Sequence, residues 1–210
     1  MKFIGINGGT FNPVHYGHLR PALEVMQLLG LEQVRFVPCY QPVHRSLPNV
    51  SAEHRSAMIE LAIKDQPKFV LDTIEMDKGG ASYMVDTLAL LKTKFREESL
   101  VLMMGTDVFA KFHTWHNWPK ILELANVVIM HRPGEPVPQS GESGAIYQQR
   151  KVQVFSEAAG QIRDLDVTQL DISSTIVRQH LEQGLSAQYL LPPCAIKYIE
   201  EQGLYPQQNR

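Results

Sequence analysis

The chain has little cysteine, no long apolar run and no surplus of charge of either sign. Only two of its 210 residues are cysteine, Cys39 and Cys194, far apart and in no metal-ligand spacing. A disulfide framework is therefore not expected, and a reducing, cytoplasmic setting is. No apolar stretch approaches the roughly 20 residues that a bilayer-spanning helix needs, so no membrane partner is expected. The opening run "KFIGIN" is too short for a signal-peptide core and meets glycines at once. Lys and Arg number 20 against 22 Asp and Glu, a net charge of -2. That balance argues against a basic, nucleic-acid-binding face but leaves room for a small anionic ligand held by local positive charge. With 44% hydrophobic residues the chain can bury a core, and its length suits one domain over 1–210. Homo-oligomerisation is left open.

What is there is an alternation of short apolar runs with helical patterns. Runs at 2–7, 33–38, 69–75, 99–105 and 126–132 read as buried strands. "SLVLMMG" is apolar throughout, as a strand covered on both faces is. Leu19, Leu23, Met26 and Leu29 follow helical spacing up to a Gly30 stop. Ser51 and Ser82 are placed to cap helices, and "WPKILEL" (118–124) reads as another. The fold class is therefore α/β with a parallel sheet. "RPGEPVPQSGESG" (132–144) reads as a loop or linker. Beyond it, "VQVF" and "DVTQLDIS" read as short strands, followed by a helix capped by Ser173 or Ser174 and a closing helix in "PPCAIKYIEEQGLY".

The densest stretch is "GGTFNPVHYGH", residues 8 to 18. A strand ending in Gly8-Gly9 and followed by a helix suits a phosphate: glycines allow close approach, and the helix start supplies N–H groups and a positive dipole end. It is not G-x-G-x-x-G, and a Walker A lysine is missing. His15 and His18 at the helix start add imidazole donors that can meet charge on a transferring phosphoryl group. A zinc site is set aside, because zinc takes at least three protein ligands and neither "HYGH" nor "HTWH" brings a third. No metal ligands are assigned.

"GGTFNPVHYGH" near one end and "ISSTIVR" (172–178) near the other together resemble the paired signatures of the HxGH nucleotidyltransferases. "GGASYMVDTL", "GTDVFAKFHTW" and "PPCAIKYIEEQGLY" are similar to the branch that adenylylates nicotinate mononucleotide. The resemblance implies a doubly wound, Rossmann-like sheet with a small C-terminal helical part from about 170 that carries the phosphate-binding helix. It implies direct transfer of AMP from ATP to nicotinate mononucleotide, giving deamido-NAD and pyrophosphate in NAD biosynthesis, with Mg²⁺ arriving on the ATP. A phosphopantetheine adenylyltransferase and a non-catalytic nucleotide sensor are the alternative readings.

Carried onto this chain, the resemblance makes His18, His15 and Arg178 the catalytic group. Gly8, Gly9, Thr10 and Phe11 would lie along the nucleotide, and Ser173, Ser174 and Thr175 would face the ATP phosphates. His44 and Arg45 would come from the 38–50 loop. Ser82, Tyr83, Met84 and Thr87 would surround the acid group of the substrate, Gly105 and Asp107 would sit at the ribose, and Trp115 with His116 would meet the pyridine ring. On its residues alone Trp115 is also a candidate for the core, and Asp107 for a helix cap. Two departures stand out: Asn12 where the branch often has Asp, and Met84 where it has Thr.

Overall fold

The computed structural model describes residues 1–43, 48–131, 137–168 and 170–207. Its first half runs β1 (Phe3–Gly9), α1 (Tyr16–Leu29), β2 (Gln33–Pro38), β3 (Gln41–Pro42), α2 (Ala52–Ile63), β4 (Phe69–Leu71), α3 (Ile74–Lys78), β5 (Ala81–Ser82) and α4 (Met84–Lys94). The second half runs β6 (Ser99–Gly105), α5 (Thr106–Phe109), a 3₁₀ turn (Phe112–Thr114), α6 (Trp118–Leu124), β7 (Ala125–His131), α7 (Gly141–Arg150), β8 (Ile162–Asp166), α8 (Ser174–Glu182) and α9 (Pro193–Glu201).

Six strands form one parallel sheet in the order β4-β2-β1-β6-β7-β8. Numbered among themselves along the chain they read 3-2-1-4-5-6, the doubly wound order. The central strands are buried on both faces, and their side chains alternate between two cores. Leu100, Leu102 and Met104 of β6 join the core under α4 and α6, while Val101 and Met103 join the one under α1, α2, α8 and α9. Gly30, at φ +62, ends α1 as expected, and Ser51 Oγ accepts the His54 N–H at the start of α2.

Four expectations are corrected. The third strand stops at Leu71 rather than residue 75, because Asp72 turns the chain: Oδ1 accepts the Ile74 N–H and Oδ2 takes the Arg35 guanidinium. Ser82 does not cap α4; it lies in β5, where its Oγ accepts from the Tyr40 and Gln41 N–H groups, and Tyr83 holds the cap position. The sixth strand is neither "VQVF" nor "DVTQLDIS" but Ile162–Asp166, an edge strand hidden by its charges; Asp164 there is tied to Tyr147 and His131. The 132–144 linker gives way to α7 at Gly141, where Ser143 docks on the Ala110 carbonyl.

Candidate active site

The strand order reverses between β1 and β6, so a crevice opens beyond the carboxyl ends of those strands. The glycine pair sits there. A Cβ added at Gly8 would stand 2.5 Å from Met84 Cε, so the end of β1 and the Met84 side chain share this space. Beyond Thr10 the backbone turns through Phe11 at φ +48 into Asn12–Pro13 and reaches α1 at His15.

His15 and His18 lock each other in place. The His15 N–H donates to His18 Nδ1 at 3.2 Å, and the two rings stack with centroids 3.6 Å apart. A neutral imidazole that accepts at Nδ1 carries its proton on Nε2. The bond therefore fixes the tautomer and leaves His18 an Nε2–H donor. Burial first, and then the neighbouring His15, hold the His18 imidazole well below its ordinary pKa, so it is neutral at pH 7. Gly17 between them is a matter of space: an added Cβ would stand 2.9 Å from His15 Nδ1 and 3.0 Å from the Ile172 carbonyl. The H-x-G-H turn and the "ISST" segment thus touch directly.

The C-terminal elements grip the same turn. Ser174 Oγ donates to the Pro13 carbonyl at 2.9 Å, and Arg178 Nη1 donates to the Asn12 carbonyl at 2.7 Å. Ser173 Oγ accepts the Ile176 N–H and caps α8. Ser174 thus spends its hydroxyl proton on the turn, while Ser173, an acceptor here, keeps its own. Thr175 is exposed, with Arg178 Nη2 3.4 Å from its Oγ1.

Next to the turn lies a cavity of about 230 Å³. Gly8, Gly9, Thr10, Ser82, Tyr83, Met84, Trp115 and His116 all line it. Tyr83 and His116 face each other with ring centroids 4.6 Å apart. Trp115 is half-buried: it packs on Phe112, centroids 5.8 Å apart, and also lines the cavity. A larger groove between α2 and α9, about 410 Å³, contains none of the predicted residues.

The remaining picks fall elsewhere. Thr87 is buried behind the cavity, its hydroxyl donating to Glu75 Oε1 at 2.6 Å. Gly105 and the exposed Asp107 stand at the end of β6 outside the lining, although Val108 belongs to it. The Phe11 ring is buried against His18 and Phe36, so only its backbone can reach a ligand. His44 and Arg45 lie outside the described residues.

Two further residues shape the site, and the sequence reading does not name them. Glu75, also in the cavity lining, takes the Thr87 hydroxyl on one oxygen and the Tyr40 N–H on the other. Arg55 is fully buried, and its guanidinium donates to three carbonyls: Thr10 at 2.6 Å, Cys39 at 2.7 Å and Val50 at 3.3 Å. Burial lowers its pKa, but a guanidinium starting so high keeps its charge. One cation thereby ties the turn after β1 to Cys39 and Val50. The only signal in sequence was a lone Arg inside a helical pattern.

A family model described as cytidylyltransferase-like matches residues 6–180. The chain is 56% identical to a protein of Hydrogenovibrio crunogenus named "Probable nicotinate-nucleotide adenylyltransferase", over 97% of this chain and 98% of that one. It is 43% identical to the protein of the same name from Methylococcus capsulatus, over 96% and 99%. Among solved structures it is similar to a Plasmodium falciparum nicotinic acid mononucleotide adenylyltransferase complexed with NaAD, with a TM-score of 0.79, 20% identity and 99% of each chain covered. At that identity the likeness speaks for the fold.

Proposed function

The chain belongs to the nicotinate-nucleotide adenylyltransferases of the cytidylyltransferase-like family, and from that premise we propose how its residues divide the transfer of AMP from ATP to nicotinate mononucleotide. The observation that carries the reading is one of adjacency. The cavity lined by Tyr83, Met84, Trp115 and His116 shares Gly8, Gly9 and Thr10 with the turn that presents His18. A mononucleotide in the cavity and a triphosphate on the turn would meet at those glycines.

The reaction needs no covalent enzyme group. An oxygen of the mononucleotide phosphate attacks the α-phosphorus of ATP. A new P–O bond forms, the bond to the β-phosphate oxygen breaks, and pyrophosphate leaves with the electron pair. What the protein supplies is alignment and neutralised charge. His18 Nε2–H donates to an α-phosphate oxygen as charge shifts, and the N–H groups at the starts of α1 and α8 add to it. Arg178 contributes a cation while holding the Asn12 carbonyl.

The phosphate side offers N–H, hydroxyl and imidazole donors, and among the described residues no cluster of three or more His, Cys, Asp or Glu could seat a bare ion. These donors suit phosphate oxygens rather than a cation, so a Mg²⁺ would be held by the triphosphate and water and would shield the charge there. Two free cysteines, Cys39 and Cys194, suit a reducing cytoplasm, and no helix among the described residues is long and apolar enough to cross a membrane.

The acid group of the substrate belongs at the start of α4, whose first N–H groups have no acceptor within the helix. Met84 in place of Thr leaves those backbone donors intact. Pyrophosphate release from ATP with nicotinate mononucleotide, nicotinamide mononucleotide and phosphopantetheine tests the assignment. Turnover is expected with the first; turnover with phosphopantetheine, or with none of the three, would overturn it.

A further inference from the structure

We propose that Tyr205 is a positioning residue for the catalytic turn, acting on His15 and His18 through the side chain of Asn12. This rests on the reading of that turn given above. The segment after α9 doubles back at Gly203, φ +60, with the Leu204 N–H closing on the Ile199 carbonyl. That reversal drives Tyr205 into the body of the protein, where it is 7% exposed, and its hydroxyl donates to Asn12 Oδ1 at 2.5 Å across 193 residues of sequence. Asn12 is itself 9% exposed, and Arg178 holds its backbone carbonyl. The residue before Pro13 is therefore fixed at two points, side chain by Tyr205 and main chain by Arg178.

Two details argue that the bond does more than fill space. Tyr205 holds φ +53, a left-handed conformation that bulky side chains avoid and that persists only where the surroundings impose it. Burial also raises the phenol pKa, against the pull of Arg178 and Arg55, so the hydroxyl stays protonated and Tyr205 is a constant donor. The Asn12 side chain, three residues before His15, is then set from the far end of the chain. Losing that setting lets the stacked histidines shift, and displacement of the order of 1 Å at a catalytic group can cost up to about 100-fold in rate.

The experiment is a double-mutant cycle on the full chain, assayed well below each variant's melting temperature. Y205F keeps the buried ring and removes only the donor; N12A removes only the acceptor. Each is expected to lower kcat about tenfold, within the range that small misplacement allows. KM for nicotinate mononucleotide should stay within about twofold, since neither residue lines the cavity. The double variant should be no worse than either single one, because both remove the same bond. N12D, which keeps an oxygen acceptor, should restore the parent rate. Y205F and N12A with kcat near that of the parent, or with multiplying effects, would overturn the proposal. If Y205F does not fold, N12A against N12D decides alone. H18A is the control: if it too is fully active, the catalytic reading of the turn fails, not merely the role of Tyr205.

Discussion

Two replacements of His18 should separate its two tasks. Nδ1 accepts the His15 N–H at 3.2 Å and so helps cap α1, while Nε2–H is left for phosphate. Asn can place its side-chain oxygen near the Nδ1 position; Gln can place its amide nitrogen near Nε2. His18→Asn should therefore keep the cap and lose the donor. Removing one such donor lowers kcat by about 10²–10³, or roughly 2.7–4 kcal/mol, with Tm close to the parent's. His18→Gln should do the reverse. Loss of a cap costs about 0.5–2 kcal/mol, and at about 2–4 °C per kcal/mol for a chain of this size Tm drops by a few degrees. Its kcat should exceed that of the Asn variant. Steady-state kcat at saturating ATP and nicotinate mononucleotide, paired with thermal melts, reads both axes. An Asn variant with near-parent kcat, or two variants equal on both axes, would refute the division of labour.

The same residue predicts a pH dependence of stability. Its folded pKa lies well below the value of about 6.5 in the unfolded chain. Between the two, the unfolded state binds the extra proton, so stability rises with pH across that window. The contribution of the neutral imidazole is complete above about pH 6.5 and is lost as pH falls towards the folded value. Melts of the Asn variant should be flatter than the parent's over this range.

Three further perturbations follow. Trp115→Ala should weaken nicotinate mononucleotide binding by about 1–3 kcal/mol with little change for ATP, as a stacking platform would; because the ring also packs on Phe112, a small fall in Tm should accompany it, and a fall in Tm alone would make it a core residue only. Gly17→Ala forces a methyl against the His15 ring and the Ile172 carbonyl, so about 1–3 kcal/mol of overpacking and a lower kcat are expected; parent-like kinetics would show that the turn tolerates displacement. Arg55→Lys carries its three donors on one nitrogen and cannot span carbonyls reached from Nε, Nη1 and Nη2, and each one left unpaired costs about 1–3 kcal/mol. KM should rise for both substrates, and a rise for only one would break the proposed link between the two halves of the site.

What could be read from sequence was local. Gly8-Gly9, the two histidines, the Ser-Ser-Thr helix start and the Gly30 stop each declare themselves within a few residues. Arg55 and Tyr205 do not, because all but one of their partners, Val50, lie 16, 45 and 193 residues away. For Arg55 those partners are backbone carbonyls, which leave no trace in residue identity. Glu75 was masked inside an apolar run that read as strand until Asp72 was seen to turn it. β8 hides behind Arg163, Asp164 and Asp166, three charges in five residues, which an edge strand accommodates. The serines declare a helix start, but the bond from Ser174 to the Pro13 carbonyl does not show in sequence, because the two lie 161 residues apart.

The Asn12–Arg178 and Asn12–Tyr205 bonds join residues 166 and 193 positions apart. On a ribosome adding about 5–20 residues per second, the second partner emerges roughly 10–40 s after the turn it secures. Strand β1 likewise has an open flank until β6 is made to fill it. A half-synthesised chain therefore displays the whole glycine and histidine signature without the framework that gives it purpose. Such a chain should neither hold ATP nor consume it. Competence arrives late, when Tyr205 closes onto Asn12.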